Sequence, residues 1–351
     1  MSSIVPVIDI SGWRPGDPAD RAAIAAAVDT ACREVGFLQV TGHGVPDAVL
    51  ADVLDTMDEF FDLPLEEKLR TSTPRPDVNR GYAAMGEESL AYSVGVEAPP
   101  DLFEAFNVGP DVIAPALLDL ERTLGELPGI VARNVWPEGP PGFRPAMVAY
   151  FEAAEAVSRR MCEIFALALG LADGFFDDYL DHPIETMRGI SYRRRPGDPD
   201  PLEGQMRLGA HTDYGIVTVL YADPVPGLQI VGPDGRWHDV VPEPGALLIN
   251  LGDITAQWTN DRWRSTIHRV APPPRHGEGE SRRRSIAFFQ DGDHDAVMSV
   301  LPTCIDAEHP AKYEPVVIGD HLTAKVVAGR AKEKAAAADT IGERMAAVTH
   351  A

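Results

Sequence analysis

The segment from residue 187 to residue 291 constrains the fold more than any other, because it alternates short apolar runs with turn signals. The predicted turns contain proline and glycine and lie at residues 196–199, 226–227, 233–235 and 244–245. Many short strands in the second half, after helices in the first, are typical of a double-sheet jelly roll. We therefore predict a mixed α/β (α+β) chain with a jelly-roll core, the double-stranded β-helix, buttressed by helices mostly from the N-terminal half.

The first half of the chain carries the helical patterns. We predict helices at residues 20–34, 46–61, about 113–128 and about 144–170, with strands at residues 4–10 and 37–40. The helix at 144–170 has apolar residues at helical spacing, including Met147, Phe151 and Ala154, and should be the spine on which a sheet packs.

Two other stretches lack a strong pattern. Residues 70–112 are rich in proline, glycine and acidic residues, which predicts loops and short strands that could cover the mouth of a site. A last helix is expected from about residue 317, followed at 331–347 by a stretch rich in Ala, Lys and Glu that predicts a terminal helix or tail.

Composition bounds the possible partners. The chain has 351 residues, 44% of them hydrophobic, and a net charge of −23. Nucleic acids and anionic membranes require basic surfaces, so we expect neither as a partner. Cys32, Cys162 and Cys304 form no CxxC pattern, and no long apolar run or export signal is present. These features predict a cytoplasmic protein without disulfides or a membrane span.

His211, Asp213 and His268 are candidate metal ligands. His211 and Asp213 stand two residues apart where a predicted strand runs into a turn, so both side chains should lie on one face. A distant strand would bring His268. Two imidazoles and a carboxylate on one side of a metal are typical of non-haem Fe(II) oxygenases, but the set also suits Zn²⁺ with water. A lone His-x-Asp is more often structural.

Arg283 and Ser285 form a second constellation. On a strand both point to one face, together with Ala287 and Phe289, while Arg284 points to the other. A buried arginine is costly unless it is paired with an anion, and a guanidinium suits a carboxylate. The alternative is an arginine paired with a protein carboxylate, or a basic edge strand. Together with the triad, the pattern favours anion binding.

Three further polar residues are weaker candidates for metal ligands. We expect His43 to be structural, His276 to lie on an exposed mobile loop at 271–280, and Asp253 to be a weaker candidate because no histidine stands two residues away. Apolar residues near the motifs are expected to be barrel core, namely Leu220, Leu228, Ile230, Leu248, Ile286, Phe288 and Phe289.

A resemblance joins these motifs. The segments at 5–9, 35–46, 79–82 and 101–106, followed in order by the His-x-Asp and Arg-x-Ser motifs, resemble the isopenicillin N synthase-like Fe(II)/2-oxoglutarate-dependent dioxygenase family. The resemblance covers nearly the whole chain and implies a cupin-like core. It implies an N-terminal helical and strand region at 1–120, the Fe(II)/2-oxoglutarate jelly-roll catalytic core with its buttressing helices at 121–330, and a terminal helix or tail at 331–351.

The resemblance also implies residue roles. His211, Asp213 and His268 would hold Fe(II) and act as the catalytic set. Arg283 and Ser285 would bind the far carboxylate of 2-oxoglutarate, with help from Tyr192, which is followed here by Arg193 rather than directly by a proline. Candidate substrate contacts, by position, are Arg80, Tyr82, Glu104, Phe106 and Arg207.

The implied activity is oxidation of a C–H bond in a small molecule, in secondary metabolism, with release of succinate and CO2. The outcome would be hydroxylation, desaturation or cyclisation, and the cofactors would be Fe(II), 2-oxoglutarate and O2. An iron oxidase without 2-oxoglutarate stays open, because the family's namesake uses its Arg-x-Ser pair to hold its own substrate. A zinc hydrolase and a non-catalytic barrel that binds a small acid also stay open. We expect a monomer or weak homo-oligomer.

Overall fold

The computed structural model describes residues 4–14, 17–72, 75, 77–94, 96–272 and 281–331. These residues form seven α-helices: α1 Pro18–Glu34, α2 Asp47–Phe61, α3 Leu65–Leu69, α4 Pro115–Leu124, α5 Phe143–Ala168, α6 Asp253–Trp258 and α7 Ile318–Ala331. They also form fourteen strands: β1 Val7–Asp9, β2 Phe37–Thr41, β3 Gly81–Ala83, β4 Glu104–Val108, β5 Pro183–Arg194, β6 Leu208–His211, β7 Val217–Ala222, β8 Leu228–Val231, β9 Trp237–Asp239, β10 Leu247–Leu251, β11 His268–Val270, β12 Ser281–Asp293, β13 Val297–Met298 and β14 Val316–Val317.

Two sheets pack face to face and confirm the predicted jelly roll. The major sheet has eight strands in the order β1-β2-β10-β7-β12-β5-β4-β3, and the minor sheet has four in the order β6-β11-β8-β9. Apolar side chains from both sheets meet between them: Phe37 and Leu248 of the major sheet lie in one cluster with Leu228 and Ile230 of the minor sheet. The barrel interior is therefore bounded by both sheets.

Helices α1, α2 and α5 cover the outer face of the major sheet. The apolar stripe of α5 is buried there, and Phe151 packs edge-on against Phe288 of β12 with ring centroids 5.0 Å apart. The prediction of a helical spine is confirmed. Within the part of the chain just defined, no helix is long and apolar enough to cross a membrane.

Several boundaries differ from the predictions for local reasons. Helix α4 ends at Leu124 because Gly125 adopts a left-handed φ of 86°, which ends the helix before residue 128. The first strand is limited to Val7–Asp9. Helices α3 and α6, of five and six residues, are too short to show a helical period and were not predicted. Residues 273–280, with His276, and the terminal segment after Ala331 lie outside the described residues.

Candidate active site

Two strand ends, the end of β6 and the start of β11, bring the predicted metal ligands together. His211 ends β6 and pairs directly with His268, the first residue of β11, with ring centroids 4.2 Å apart. Asp213 follows β6, and its Oδ1 lies 3.7 Å from the Nε2 atom of each histidine. One ligand atom from each residue lies within 4.8 Å of the others, and all three residues are buried. This spacing suits one metal ion.

Hydrogen bonds orient the ligand atoms. The Nδ1 of His211 lies 2.8 Å from the carbonyl of Gly209, and the Nδ1 of His268 lies 3.0 Å from that of Thr266. Because a carbonyl only accepts, each Nδ1 must carry the proton, which leaves each Nε2 lone pair for a metal. Asp213 Oδ2 accepts bonds from Thr218 Oγ1 at 2.5 Å and Asn250 Nδ2 at 2.6 Å, so Oδ1 is the oxygen left to bind a metal.

The charge states fit a divalent cation. Burial, together with the neighbouring His268, lowers the pKa of His211 and favours its neutral form. Burial alone would raise the pKa of Asp213, but the two imidazoles and the bonds from Thr218 and Asn250 lower it overall, so the carboxylate is ionised. An anionic oxygen and two neutral nitrogens are the donors that Fe(II) or Zn²⁺ accepts.

Residues 35–37, where β2 begins, hold the third predicted ligand, His268, in place. Gly36 has a φ of 70°, and a Cβ there would overlap Arg264 and Thr266, so only glycine permits this approach. Thr266 Oγ1 donates to the Val35 carbonyl at 2.7 Å. The ring of Phe37 meets His268 edge-on, with centroids 5.3 Å apart. The segment at 35–46 therefore supports β11 and the His268 ring.

Replacing Thr218 with valine is expected to weaken Fe(II) binding by about ten- to a hundredfold, because a bond that orients Asp213 is lost. Valine matches the shape of threonine and suits strand β7, so the fold should persist. Fe(II) affinity measured by anaerobic competition with a chelator tests this. Thr41→Val, at the half-buried last residue of β2, is the control and should bind Fe(II) normally. Unchanged affinity in Thr218→Val would contradict the orienting role.

Arg283, Ser285 and Tyr192 form the second cluster inside the barrel. Arg283 is directly opposite Tyr192 on β12 and β5, with its Cζ 5.1 Å from the tyrosine ring centroid, and Ser285 lies two residues further on. All three side chains are buried. Burial raises the pKa of Tyr192, although Arg283 and the Ser285 hydroxyl partly oppose this rise. The neutral phenol can therefore donate a hydrogen bond to an anion.

The guanidinium of Arg283 carries unused donors. Its exposed fraction is 1%, and its Nε and Nη1 have no hydrogen-bond partner in the described structure. Arg284, on the opposite face, pairs instead with Asp58 at 2.7 Å and Asp223 at 3.4 Å. Burying a cation whose N–H groups have no acceptor is unfavourable, and a bound carboxylate would offset this cost. The cluster therefore suits the 5-carboxylate of 2-oxoglutarate.

A pocket opens directly on His211 and Asp213. Its apolar wall includes Ile184, Ile190 and Leu208 from strands, together with Leu322 and Val326 of α7. Its remaining lining residues are Asn79, Glu88, Leu90, Ile130, Thr186, Arg188, Thr212, Tyr214, Phe289 and Asp291. Phe289 was expected in the core; it is half-buried and lines this pocket instead.

The pocket also carries charge. Arg188 Nη2 donates to Glu88 Oε2 at 2.6 Å. Burial, with the nearby Asp213 carboxylate, raises the pKa of Asp291 to about 7. A separate cleft among α4, α5 and the start of β5 contains none of the triad residues. The first pocket is therefore the candidate substrate site.

The five predicted substrate contacts lie elsewhere. Arg80 donates to the carbonyls of Asn79, Ile130, Ala132 and Glu185 and to Thr186. Tyr82 donates to Glu104 at 2.7 Å, and Lys68 bonds the same carboxylate at 2.6 Å.

Phe106 packs among Phe60 and Phe143. Arg207 Nη2 donates to Ser281 Oγ at 3.1 Å, and burial together with Arg283 lowers the pKa of Arg207, which places it near the Arg283 cluster. None of the five lines the pocket on the triad.

The two rival ligands have structural contacts. His43 Nε2 lies 2.8 Å from the Gly245 carbonyl, and its Nδ1 accepts from the Val45 N–H, as expected of a structural residue. Asp253 accepts from Ser265 Oγ at 2.7 Å and from Lys325 Nζ of α7 at 3.2 Å, and its backbone N–H donates to the Asp213 carbonyl.

Comparison with known protein families gives two matches. Residues 5–139 match the family described as non-haem dioxygenase in morphine synthesis N-terminal. Residues 185–292 match the 2OG-Fe(II) oxygenase superfamily. The second match spans every residue of the triad and of the Arg283 cluster.

Individual relatives are similar to this chain over most of its length. The 2-oxoglutarate-Fe(II) type oxidoreductase hxnY of Emericella nidulans is 34% identical over 319 residues, which cover 90% of this chain and 87% of that protein. A homoarginine-6-hydroxylase of Oryza sativa subsp. japonica is 32% identical, covering 92% of this chain and 96% of that protein. A full-length Neurospora crassa protein, solved with alpha-KG and thymine, superposes with a TM-score of 0.79 at 28% identity, covering 93% of this chain and 97% of that chain.

Proposed function

Because the chain belongs to the 2-oxoglutarate- and Fe(II)-dependent oxygenase superfamily, we propose that His211, Asp213 and His268 hold its iron. The protein is a non-haem dioxygenase that oxidises small molecules, and the predicted cofactors Fe(II), 2-oxoglutarate and O2 are confirmed. One relative is named a 2-oxoglutarate-Fe(II) type oxidoreductase, and another, from Trichoderma harzianum, a 2-oxoglutarate-dependent dioxygenase. These names favour the reaction that needs 2-oxoglutarate over the two alternatives without it, the iron oxidase and the zinc hydrolase.

One observation is the main support for the assignment of the 2-oxoglutarate site. Arg283 is buried with idle guanidinium donors, in the same barrel as a metal-ligand set. We assign Arg283, Ser285 and Tyr192 to the 5-carboxylate of 2-oxoglutarate. The fork of the guanidinium suits two parallel bonds to that carboxylate, and the two hydroxyls offer further donors.

The chain's own residues position the reactants. When bound, Fe(II) and 2-oxoglutarate supply oxidation of a C–H bond, coupled to decarboxylation of 2-oxoglutarate to succinate and CO2. Thr218 and Asn250 keep Asp213 aimed at the metal, while the Gly209 and Thr266 carbonyls fix the imidazoles. Phe289, Leu322 and the strand residues around them exclude water from the substrate.

Hydroxylation is the finer reaction that we propose. The balance is one substrate, one 2-oxoglutarate and one O2 giving one alcohol, one succinate and one CO2. The homoarginine-6-hydroxylases among the relatives support this choice over desaturation or cyclisation. Secondary metabolism is the setting we infer from the Validamycin A dioxygenase of Streptomyces hygroscopicus subsp. limoneus.

The test uses ¹⁸O2 with Fe(II), ascorbate, 2-oxoglutarate and a panel that starts with homoarginine, validamycin A and thymine. We expect one compound to give equal amounts of succinate and product, each with one labelled oxygen atom. Asp213→Ala is the control and should give neither. Oxidised product without succinate would replace this proposal with the co-substrate-independent oxidase.

We further propose a cytoplasmic protein that acts as a monomer or weak homo-oligomer and binds no nucleic acid. Cys32, Cys162 and Cys304 are all free thiols, which suits a reducing compartment. The net charge of −23 disfavours contact with phosphate backbones.

A further inference from the structure

Asp291 stands apart from the other charged residues of the substrate pocket. The ladder between β5 and β12 shifts register between Gln290 and Gly292, so Asp291 is the extra residue of a β-bulge. Bulges near active sites redirect side chains. Here Asp291 and Phe289 both line the pocket that contains His211 and Asp213.

The carboxylate of Asp291 has no hydrogen-bond or ion-pair partner among the described residues. Across the described chain, no hydrogen bond or ion pair reaches its oxygens, although the residue is only 9% exposed. Besides the predicted metal ligand Asp213, the pocket wall has two other charged side chains, Arg188 and Glu88, which pair with each other. Arg80, the cation that acts electrostatically on Asp291, directs its N–H groups to carbonyls and Thr186.

Room for this carboxylate is built into the metal-ligand turn. A Cβ at Gly215 would overlap Asp291 Oδ1, so any side chain at position 215 would displace the carboxylate. The Ile216 N–H donates to the Gln290 carbonyl at 2.9 Å and holds the two segments together. The turn after Asp213 and the bulge therefore form one unit that presents Asp291 to the pocket.

We propose that Asp291 determines specificity by binding a cationic nitrogen of the substrate, in an amine, amidine or guanidine. An unpaired buried carboxylate is costly, and a charged N–H donor offsets that cost. The apolar wall around it, including Ile184, Phe289 and Leu322, suits the hydrocarbon portion of such a compound. This inference rests on the proposed function, because the cation would orient the carbon chain towards the iron.

The experiment uses two matched pairs of probes. Protein loaded anaerobically with Fe(II) and 2-oxoglutarate is titrated with L-homoarginine and with homocitrulline, in which a neutral urea replaces the guanidinium. The second pair is n-hexylamine and n-hexanol. Calorimetry gives each Kd, and we expect at least one cation to bind about tenfold more tightly than its neutral partner.

Asp291→Asn should reduce that preference to less than about threefold, because the amide keeps the shape and loses the charge. Asp295→Asn removes the same charge from an exposed carboxylate outside the pocket and should leave the preference intact. Asp291→Ser repeats the test if the asparagine variant does not fold. The inference is overturned if neither cation is preferred, or if the preference survives in the folded Asp291 variant.

The same samples test the proposed function separately. Bidentate chelation of Fe(II) by 2-oxoglutarate gives a visible charge-transfer band, and Asp291 is not part of the proposed anchor. If the band forms without a preference for cations, only the Asp291 assignment fails. If the band does not form, the proposed function fails.

Discussion

His211→Ala is expected to abolish iron retention and turnover. The variant lacks one of three ligand atoms that lie within 4.8 Å of one another. Loss of a residue that merely supports a ligand weakens metal binding by about ten- to a hundredfold, so loss of a ligand itself should exceed the upper value. Iron content after desalting, and succinate formed per enzyme, measure the two effects.

His238→Ala is the matched control, because this half-buried histidine lies on the minor sheet and pairs with Asp234 at 2.8 Å. It should keep full iron content and turnover. A thermal melt of His211→Ala without metal should resemble that of the metal-free parent, which would show that the barrel still folds. Normal iron retention in His211→Ala would exclude this histidine as a ligand.

Arg283→Ala is expected to weaken 2-oxoglutarate binding by about a hundredfold, because a buried charge-assisted bond to the carboxylate is removed. The KM for 2-oxoglutarate should rise accordingly. Iron content should not change, since the triad carries its own hydrogen bonds from Thr218, Asn250 and two backbone carbonyls. Calorimetry with 2-oxoglutarate and a metal assay separate the two quantities.

Arg282→Ala provides the comparison on the same strand. Arg282 forms an ion pair with Asp58 at 2.5 Å and is partly exposed, so its loss should cost little stability. The affinity of the Arg282→Ala protein for 2-oxoglutarate should stay within about threefold of the parent value. If Arg282→Ala and Arg283→Ala lost the same affinity for 2-oxoglutarate, the cause would be a general effect of charge rather than an anchor at Arg283.

The predicted metal ligands and the predicted anchor of 2-oxoglutarate could be found from the two-residue periodicity of strands. His211 and Asp213 are two residues apart, as are Arg283 and Ser285, and each pair needs only the alternation of a strand to share a face. The position of Tyr192 opposite Arg283 depends on the register of β5 against β12, which residue spacing does not encode. For Tyr192 the resemblance to a family supplied the assignment.

The substrate pocket is assembled from segments that are distant in the chain. Glu88 comes from a loop, Arg188 from β5, Asp291 from a bulge and Leu322 from the last helix. No periodicity links these positions, and a bulge breaks the alternation that would place Asp291. The resemblance implied Tyr82 and Glu104 as substrate contacts by their position, but in the structure the Tyr82 hydroxyl donates to the Glu104 carboxylate.

The division into regions at 1–120, 121–330 and 331–351 stays a prediction. Strands β1 to β4 of the first region join the major sheet, with β2 beside β10 and β4 beside β5. Gly36 and Phe37 of that region also support His268. The N-terminal segment therefore contributes directly to the walls of the site.

We propose that one barrel holds iron at the triad and 2-oxoglutarate between the triad and Arg283. An anaerobic Fe(II) titration, with and without 2-oxoglutarate, tests it directly in the parent protein and in Arg283→Ala. We predict a visible metal-to-ligand charge-transfer band only when both are present, and its loss in the variant at the same 2-oxoglutarate concentration. Iron binding without the band in the parent, or an equal band in Arg283→Ala, would show that Arg283 does not anchor 2-oxoglutarate beside an iron at the triad.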